Sequence, residues 1–304
     1  MSSALSGIKI AVAGGDDREI VLISELIRLG ATITVVGFPR EKVGHGGYVV
    51  SSVEEVCRGA EVLILPMPGT DPNGLIRAVY SEEKLELSER AIKLLAPRAL
   101  VIIGTARPFL RDWAKKYHFT LLEIAEMDEV AILNSIPTAE GAIQIAMEEL
   151  PITIHGACAC VLGFGRVGFT LGRTLKALGA EVTVVSRKPA ELARAYEIGC
   201  HRAGFEELSR ILPSMEVVFN TVPAMVLTRE VLRLANPETL IIDVAAQPGG
   251  TDFEAAHSVG IKAILAPGLP GKVAPLTAGR ILADVLPQLI IKELSKIDAG
   301  LQYG

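Results

Sequence analysis

Gly163, Gly165 and Gly168 follow one another at the spacing G-x-G-x-x-G, directly after the apolar run Ala157 to Leu162 and ahead of a helix-patterned stretch that closes at Gly179. Glycines so placed suit one task, the seating of a pyrophosphate on backbone N–H groups. Gly163 lets the strand turn tightly, Gly165 lets the backbone come close to the anion, and Gly168 lets the helix pack against the sheet. The start of that helix, with Phe164, Arg166 and Val167 around it, offers unpaired N–H groups to the phosphates. A bare G-x-G-x-x-G arises by chance in loops; here a second strand, Val182 to Val185, arrives where a βαβ unit requires it. The residue after that strand reads the ribose, and an Asp or Glu there would hold the 2′-hydroxyl of NAD. This chain has Ser186, followed by Arg187 and Lys188. A hydroxyl and two cations suit a 2′-phosphate, so NADP(H) is the expected cofactor. An ordinary solvated basic turn is the alternative.

Three later strand ends should lie over the same cofactor. Val217 to Asn220 leads to Thr221, Val222 and Pro223; Leu240 to Val244 leads to Ala245; Ala263 to Leu265 leads to Pro267 and Gly268. Asp243, near the end of its strand, is assigned to the cofactor side, with a structural hydrogen bond as the competing role. His155 falls at the entry of the first strand and His257 within a helix, so neither reads as catalytic.

The elements that carry these residues repeat. Leu29-Gly-Ala-Thr-Ile-Thr-Val-Val36 resembles Leu178-Gly-Ala-Glu-Val-Thr-Val-Val185, so both halves read as doubly wound units. The first opens with a strand, Ile8 to Ala13, then Gly14-Gly-Asp-Asp-Arg-Glu19 and a helix from about Ile20 to Leu29. Asp16 and Asp17 would repel a pyrophosphate, so this half keeps the scaffold without the nucleotide. Its strand ends, including Val62 to Leu65 and Leu100 to Ile103, form a rim suited to a substrate. Gly14, Gly15, Arg18 and Gly104 are assigned to it, with Arg18 and Arg107 as cations able to grip a carboxylate and a surface salt bridge as the competing role for each. Lys115, Lys116 and His118 read as solvated.

Asn134 to Leu150 is a connector whose helix begins near Pro137 and Thr138. Ser135, Thr138 and Glu140 should project into a cleft between domains, with helix capping as the other role for Ser135 and Thr138. Glu140 is the candidate general base. The final helix, Thr277 to Ser295, carries an apolar face that should return to the first domain, and the tail from Lys296 reads as frayed. The expected fold is therefore α/β: two doubly wound Rossmann-like domains with a cleft between them. Residues 1–133 with about 277–304 form the substrate domain, 134–150 the connecting helix, and 151–276 the NADP domain.

The bulk properties agree. The chain has 304 residues, half of them hydrophobic, and a net charge of −5. No basic patch suits nucleic acid, and no apolar run nears the roughly 18 residues of a membrane span. The apolar excess fits buried parallel strands and an interface between copies of the chain, hence a homo-oligomer. Cys57, Cys158, Cys160 and Cys200 show no metal-ligand spacing, so no metal is expected. The start of the chain lacks the features of a signal peptide, which points to the cytoplasm.

Several stretches together resemble the family of the dipicolinate synthase A subunit of spore-forming bacteria: Gly14-Gly-Asp near an Arg, Asn134-Ser-Ile-Pro-Thr-Ala-Glu-Gly-Ala142, Gly163-Phe-Gly-Arg166, Asn220-Thr-Val-Pro223, Pro248-Gly-Gly-Thr-Asp-Phe253 and Ala266-Pro-Gly-Leu-Pro-Gly271. The resemblance spans nearly the whole chain. It implies NADP-linked oxidation of a dihydrodipicolinate-type dicarboxylate to dipicolinate (pyridine-2,6-dicarboxylate) in the mother cell of a sporulating bacterium. It also implies a partner, the flavoprotein-like B subunit of dipicolinate synthase. From the residues alone, two other readings stand: a non-catalytic scaffold that binds NADP, and a related NAD(P)-dependent amino or hydroxy acid dehydrogenase.

Overall fold

The structure, a computed structural model, describes residues 4–246 and 248–300. Gln247 in the loop after the fifth strand of the second unit, and residues 301–304 of the expected C-terminal helix and tail, lie outside the described residues. The chain divides into two units, Met1–Leu133 with Pro275–Gly304, and Asn134–Ala274.

The first unit contains β1 (Lys9–Ala13), β2 (Thr32–Val36), β3 (Gly47–Val49), β4 (Val62–Ile64), a hairpin of β5 (Leu75–Ile76) and β6 (Leu85–Glu86), β7 (Leu100–Ile103) and β8 (Thr120–Glu123). Six of these form one parallel sheet in the order β3-β2-β1-β4-β7-β8. The second unit repeats that order as β11-β10-β9-β12-β13-β14, with β9 at Cys158–Leu162, β10 at Glu181–Val185, β11 at His201–Ala203, β12 at Val217–Asn220, β13 at Leu240–Asp243 and β14 at Lys262–Leu265. Each is thus a doubly wound sheet whose order reverses beside its first strand, and such sheets take ligands at the carboxyl ends of their strands.

Parallel strands covered on both faces must be apolar at successive positions. β4, β7, β12 and β13 are buried at every residue. Alternate residues serve opposite faces: Ile10, Val12, Ile64 and Ile102 join one cluster of the first unit, whereas Ala11, Ala13, Leu63 and Val101 join the other. The helices that matter for the site are α1 (Asp17–Arg28), α2 (Pro108–Tyr117), α3 (Asp128–Glu149), α4 (Arg166–Ala177), α5 (Pro189–Glu197) and α6 (Pro275–Asp298). The C-terminal helix α6 returns to the first unit and packs on α1. A Cβ on Gly279 would lie 2.7 Å from Val21 Cβ and 2.9 Å from the Arg18 carbonyl oxygen. Only glycine permits that approach.

The connector differs from expectation. α3 begins nine residues before Pro137, which lies inside it. Proline has no N–H to donate to the i−4 carbonyl, and the Thr138 hydroxyl donates to the neighbouring Asn134 carbonyl at 2.7 Å.

Candidate functional site

The glycine turn of the second unit shows a separate cause for each glycine. Gly163 has φ 82°, and a Cβ there would press on Thr221 Oγ1 and Val222 Cγ2 at 2.7 and 2.8 Å. A Cβ on Gly168 would run into the Gly163 carbonyl, so this residue sets how closely α4 approaches the strand. Gly165 is exposed, and its Cβ would meet nothing within 4 Å. It is also the N-cap of α4 and supplies no side-chain hydrogen bond. A twelve-residue helix therefore begins at a glycine N-cap that brings no side chain to its N-terminus, beside an open glycine face, which is the chemistry a pyrophosphate needs. The residues present fit a dinucleotide.

The equivalent turn of the first unit is closed by the chain itself. Gly15 N–H donates to the Arg77 carbonyl at 2.8 Å, Val79 N–H donates back to Gly15 at 3.0 Å, and Gly14 packs against Ile76 and Arg77. Asp16 caps α1 and Glu19 completes a capping box. Carboxylates stand where a phosphate would have to sit. Burial pushes the Asp16 carboxyl up, but its hydrogen bonds and charge pairing with Arg18 outweigh this and hold it below its ordinary value.

Several assignments made from sequence are corrected here. Arg18 is not a rim cation awaiting a substrate. It is 6 % exposed, and its Nε and Nη2 donate to the two Asp16 oxygens at 2.8 and 2.9 Å. Ser135 is buried with its hydroxyl 2.6 Å from that of Thr170, so it ties α3 to α4 instead of projecting into open space. The Thr138 hydroxyl donates within its own helix, and neither residue caps it. The Asp243 carboxylate is fully buried and accepts from Asn220 Nδ2, Ala245 N, Gly250 N and Thr251 Oγ1 at 2.7–3.0 Å. It fastens the loop after β13 and has no face left for a cofactor. Gly104 is a glycine because Met67 lies against it, and Gly14 and Gly15 because the 76–79 segment and Glu19 do.

Other residues stay where a ligand could meet them. Arg107 is exposed at the N-cap of α2, and its Nε donates to the Thr70 carbonyl at 3.0 Å. Arg77, passed over in the sequence because it lies outside every glycine turn, is half exposed and 3.9 Å from Asp16. Glu140 is an exposed carboxylate on α3. Pro223, Pro267 and Gly268 are exposed, Val222 is half-buried, Ala245 is buried, and Thr221 donates to the Leu162 carbonyl at 2.8 Å. The Phe164 ring is core, packed on Gly172 and Phe169. Lys116 pairs with Glu89 at 2.7 Å, whereas Lys115 and His118 line a cavity of about 580 Å³ at the opposite end of the first sheet.

At the end of β10 the Ser186 hydroxyl is engaged. It donates to Glu191 Oε2 at 2.6 Å, and Lys188 Nζ donates to Oε1 at 3.0 Å. Glu191 was missed because an acid in the first turn of a helix ordinarily serves the dipole, and nothing in its spacing shows that it turns back to the strand end. Burial pushes its carboxyl up; the bonds from Ser186 and Lys188, the Lys188 charge and Phe164 N–H together bring it below its ordinary value.

Known proteins bear on this geometry. Residues 9–125 match the family described as the N-terminal domain of the dipicolinate synthase A subunit, and residues 138–245 match the D-isomer specific 2-hydroxyacid dehydrogenase, NAD binding domain. The chain is 41 % identical over 287 residues to the dipicolinate synthase A subunit of Bacillus subtilis (strain 168), covering 94 % of this chain and 97 % of that protein. The crystal structure of the dipicolinate synthase A subunit from Bacillus halodurans superposes with a TM-score of 0.91 at 41 % identity, over 94 % of this chain and 98 % of that one. The A chain of dipicolinate synthase from Bacillus subtilis gives a TM-score of 0.90 at 39 % identity, over 97 % and 100 %. The second unit is thus a nicotinamide-dinucleotide domain of dehydrogenase type, and among the described residues no helix is long and apolar enough to cross a membrane.

Proposed function

Because the chain belongs to the family of the dipicolinate synthase A subunit, we propose that it oxidises dihydrodipicolinate to dipicolinate with NADP, in the cytoplasm of the mother cell during sporulation. The similar proteins are each named as one subunit of a synthase, and the proposed partner is the flavoprotein-like B subunit. The observation that carries the reading is the contrast between two helix starts. α4 opens on a glycine N-cap without a side chain and with open space beside it, whereas α1 is capped by Asp16 and covered by residues 76–79.

When bound, the nicotinamide accepts the hydride that leaves the dihydropyridine ring, while one proton departs to give the aromatic product. Gly163, Gly165 and Gly168 with the start of α4 would hold the pyrophosphate, and Ser186, Arg187 and Lys188 the ribose 2′-phosphate. The product's aromaticity drives the step, so the chain's share is orientation, which can supply up to about 7–11 kcal/mol of barrier reduction. Two substrate carboxylates call for cations. Arg107 is the proposed anchor, since its Nε is fixed by the Thr70 carbonyl and its exposed fork is paired with no acid among the described residues; Arg77 is the second. Glu140 is the proposed acceptor of the proton.

The test is an assay of the purified chain, with and without the B subunit, using freshly formed dihydrodipicolinate and NADP. Reduced cofactor and pyridine dicarboxylate should appear together in equal amounts. The Arg107→Ala variant should lose at least about tenfold in turnover while keeping its NADP affinity. Reduction by the pair with none by this chain under any condition would favour a cofactor-binding scaffold instead.

A further inference from the structure

The end of β10 is where a dinucleotide site reads the 2′ position of the adenosine ribose. Four hydrogen bonds converge there on two groups. Ser186, 3 % exposed, donates to Glu191 Oε2 at 2.6 Å and accepts from Lys188 N–H at 3.1 Å. Glu191 also accepts from the Lys188 ammonium at 3.0 Å and from Phe164 N–H, inside the glycine turn, at 3.3 Å. Its carboxylate therefore lies between the pyrophosphate turn and the basic turn.

A hydroxyl has one proton to donate, and that of Ser186 is already directed at Glu191. A 2′-phosphate, carrying about −1.5 to −2 charges, can use Ser186 and Lys188 only if both release Glu191, and the freed carboxylate then adjoins the phosphate. A ribose 2′-hydroxyl, being neutral and a donor, meets no such conflict. Arg187 is exposed and makes no ion pair or hydrogen bond among the described residues, so it alone of the basic pair is unopposed.

We infer that Glu191 sets the ratio of NADP to NAD affinity, by holding Ser186 and Lys188 and by placing a negative charge where the 2′ substituent is read. The inference rests on the glycine turn as the dinucleotide site. The basic pair favours the phosphorylated cofactor, and Glu191 offsets part of that preference.

Binding of NADP and NAD to the full chain, followed by calorimetry, tests this. The Glu191→Gln variant should raise the ratio of the NAD to the NADP dissociation constant by about tenfold or more. A double-mutant cycle adds a second reading: Lys188→Met should weaken NADP binding more in the Glu191→Gln background than in the parent, where Glu191 already neutralises that lysine. Circular dichroism checks each fold. Should Glu191→Gln not fold, Glu191→Asp, whose carboxylate is drawn back by one methylene, should move the ratio the same way by less. Equal changes in both affinities would overturn the inference and leave Glu191 as a brace for the turn through Phe164. Tighter NAD binding by the parent, with the ratio still moving as expected, would overturn only the choice of NADP. No binding of either cofactor would overturn both.

Discussion

Removing the Arg18 guanidinium would leave Asp16 and Glu19 facing each other in a site from which most water is excluded, since the Arg18 and Asp16 side chains are only 7 % and 9 % exposed. Breaking one half of such a buried pair costs about 3–5 kcal/mol. Arg18→Ala should therefore destabilise the first unit by that order in urea, with the cofactor dissociation constant unchanged; loss of turnover with full stability would instead restore Arg18 as a substrate ligand. Glu19 gives a prediction of opposite sign. Burial pushes its carboxyl above the ordinary 4.5, against the Arg18 charge and the Asp16 N–H bond. A group raised on folding contributes stability below its unfolded pKa and loses it as pH rises through the folded one. Glu19→Gln removes that titration. Its stability relative to the parent should therefore grow from acid pH to neutrality in paired urea titrations, and a flat difference would mean that Arg18 fully compensates the buried charge.

At the scale of the element, the strand, glycine turn and helix of the second unit separate packing from binding. Alanine is the better helix former by about 1 kcal/mol, yet Gly168→Ala drives a Cβ into the Gly163 carbonyl and should cost about 1–3 kcal/mol of stability. Gly165→Ala meets open space at an ordinary φ of −76°. It should change stability by less than about 0.5 kcal/mol while lowering dinucleotide affinity, a pairing readable by denaturation and titration of the same two samples. The packing roles of Gly163 and Gly168 were legible in the sequence because they belong to local backbone geometry. So were interior strands such as Leu100–Ile103 and Val217–Asn220, whose unbroken apolar runs are what burial on both faces requires. The edge strands β3 and β11 were not. Gly47-Tyr-Val and His201-Arg-Ala carry no such run and are strands because a neighbour pairs with them. Side-chain partners were hidden for a related reason. Ser135 meets Thr170 thirty-five positions away, and Asp243 takes a donor from β12, meetings that only the folded sheet arranges.

At the scale of the whole chain, each cluster of buried residues found among the described residues draws on one unit only. The first unit is nevertheless completed last, because Leu282, Leu286, Leu289 and Ile290 of α6 enter its core after the entire second unit has been synthesised. Two cores with separate memberships should respond separately to perturbation. Gly279→Val presses a branched side chain onto Val21 and the Arg18 carbonyl and should lower the first unit's stability by at least about 1–3 kcal/mol. A dinucleotide present at about one hundred times its dissociation constant should stabilise whichever unit binds it by about 2.7 kcal/mol. In scanning calorimetry the variant should therefore move one transition down and the cofactor the other up, with the two shifts adding. If the cofactor instead rescued the transition that Gly279→Val lowers, the dinucleotide would be bound by the first unit, and the closed turn at Gly14 to Arg18 would have to open to admit it.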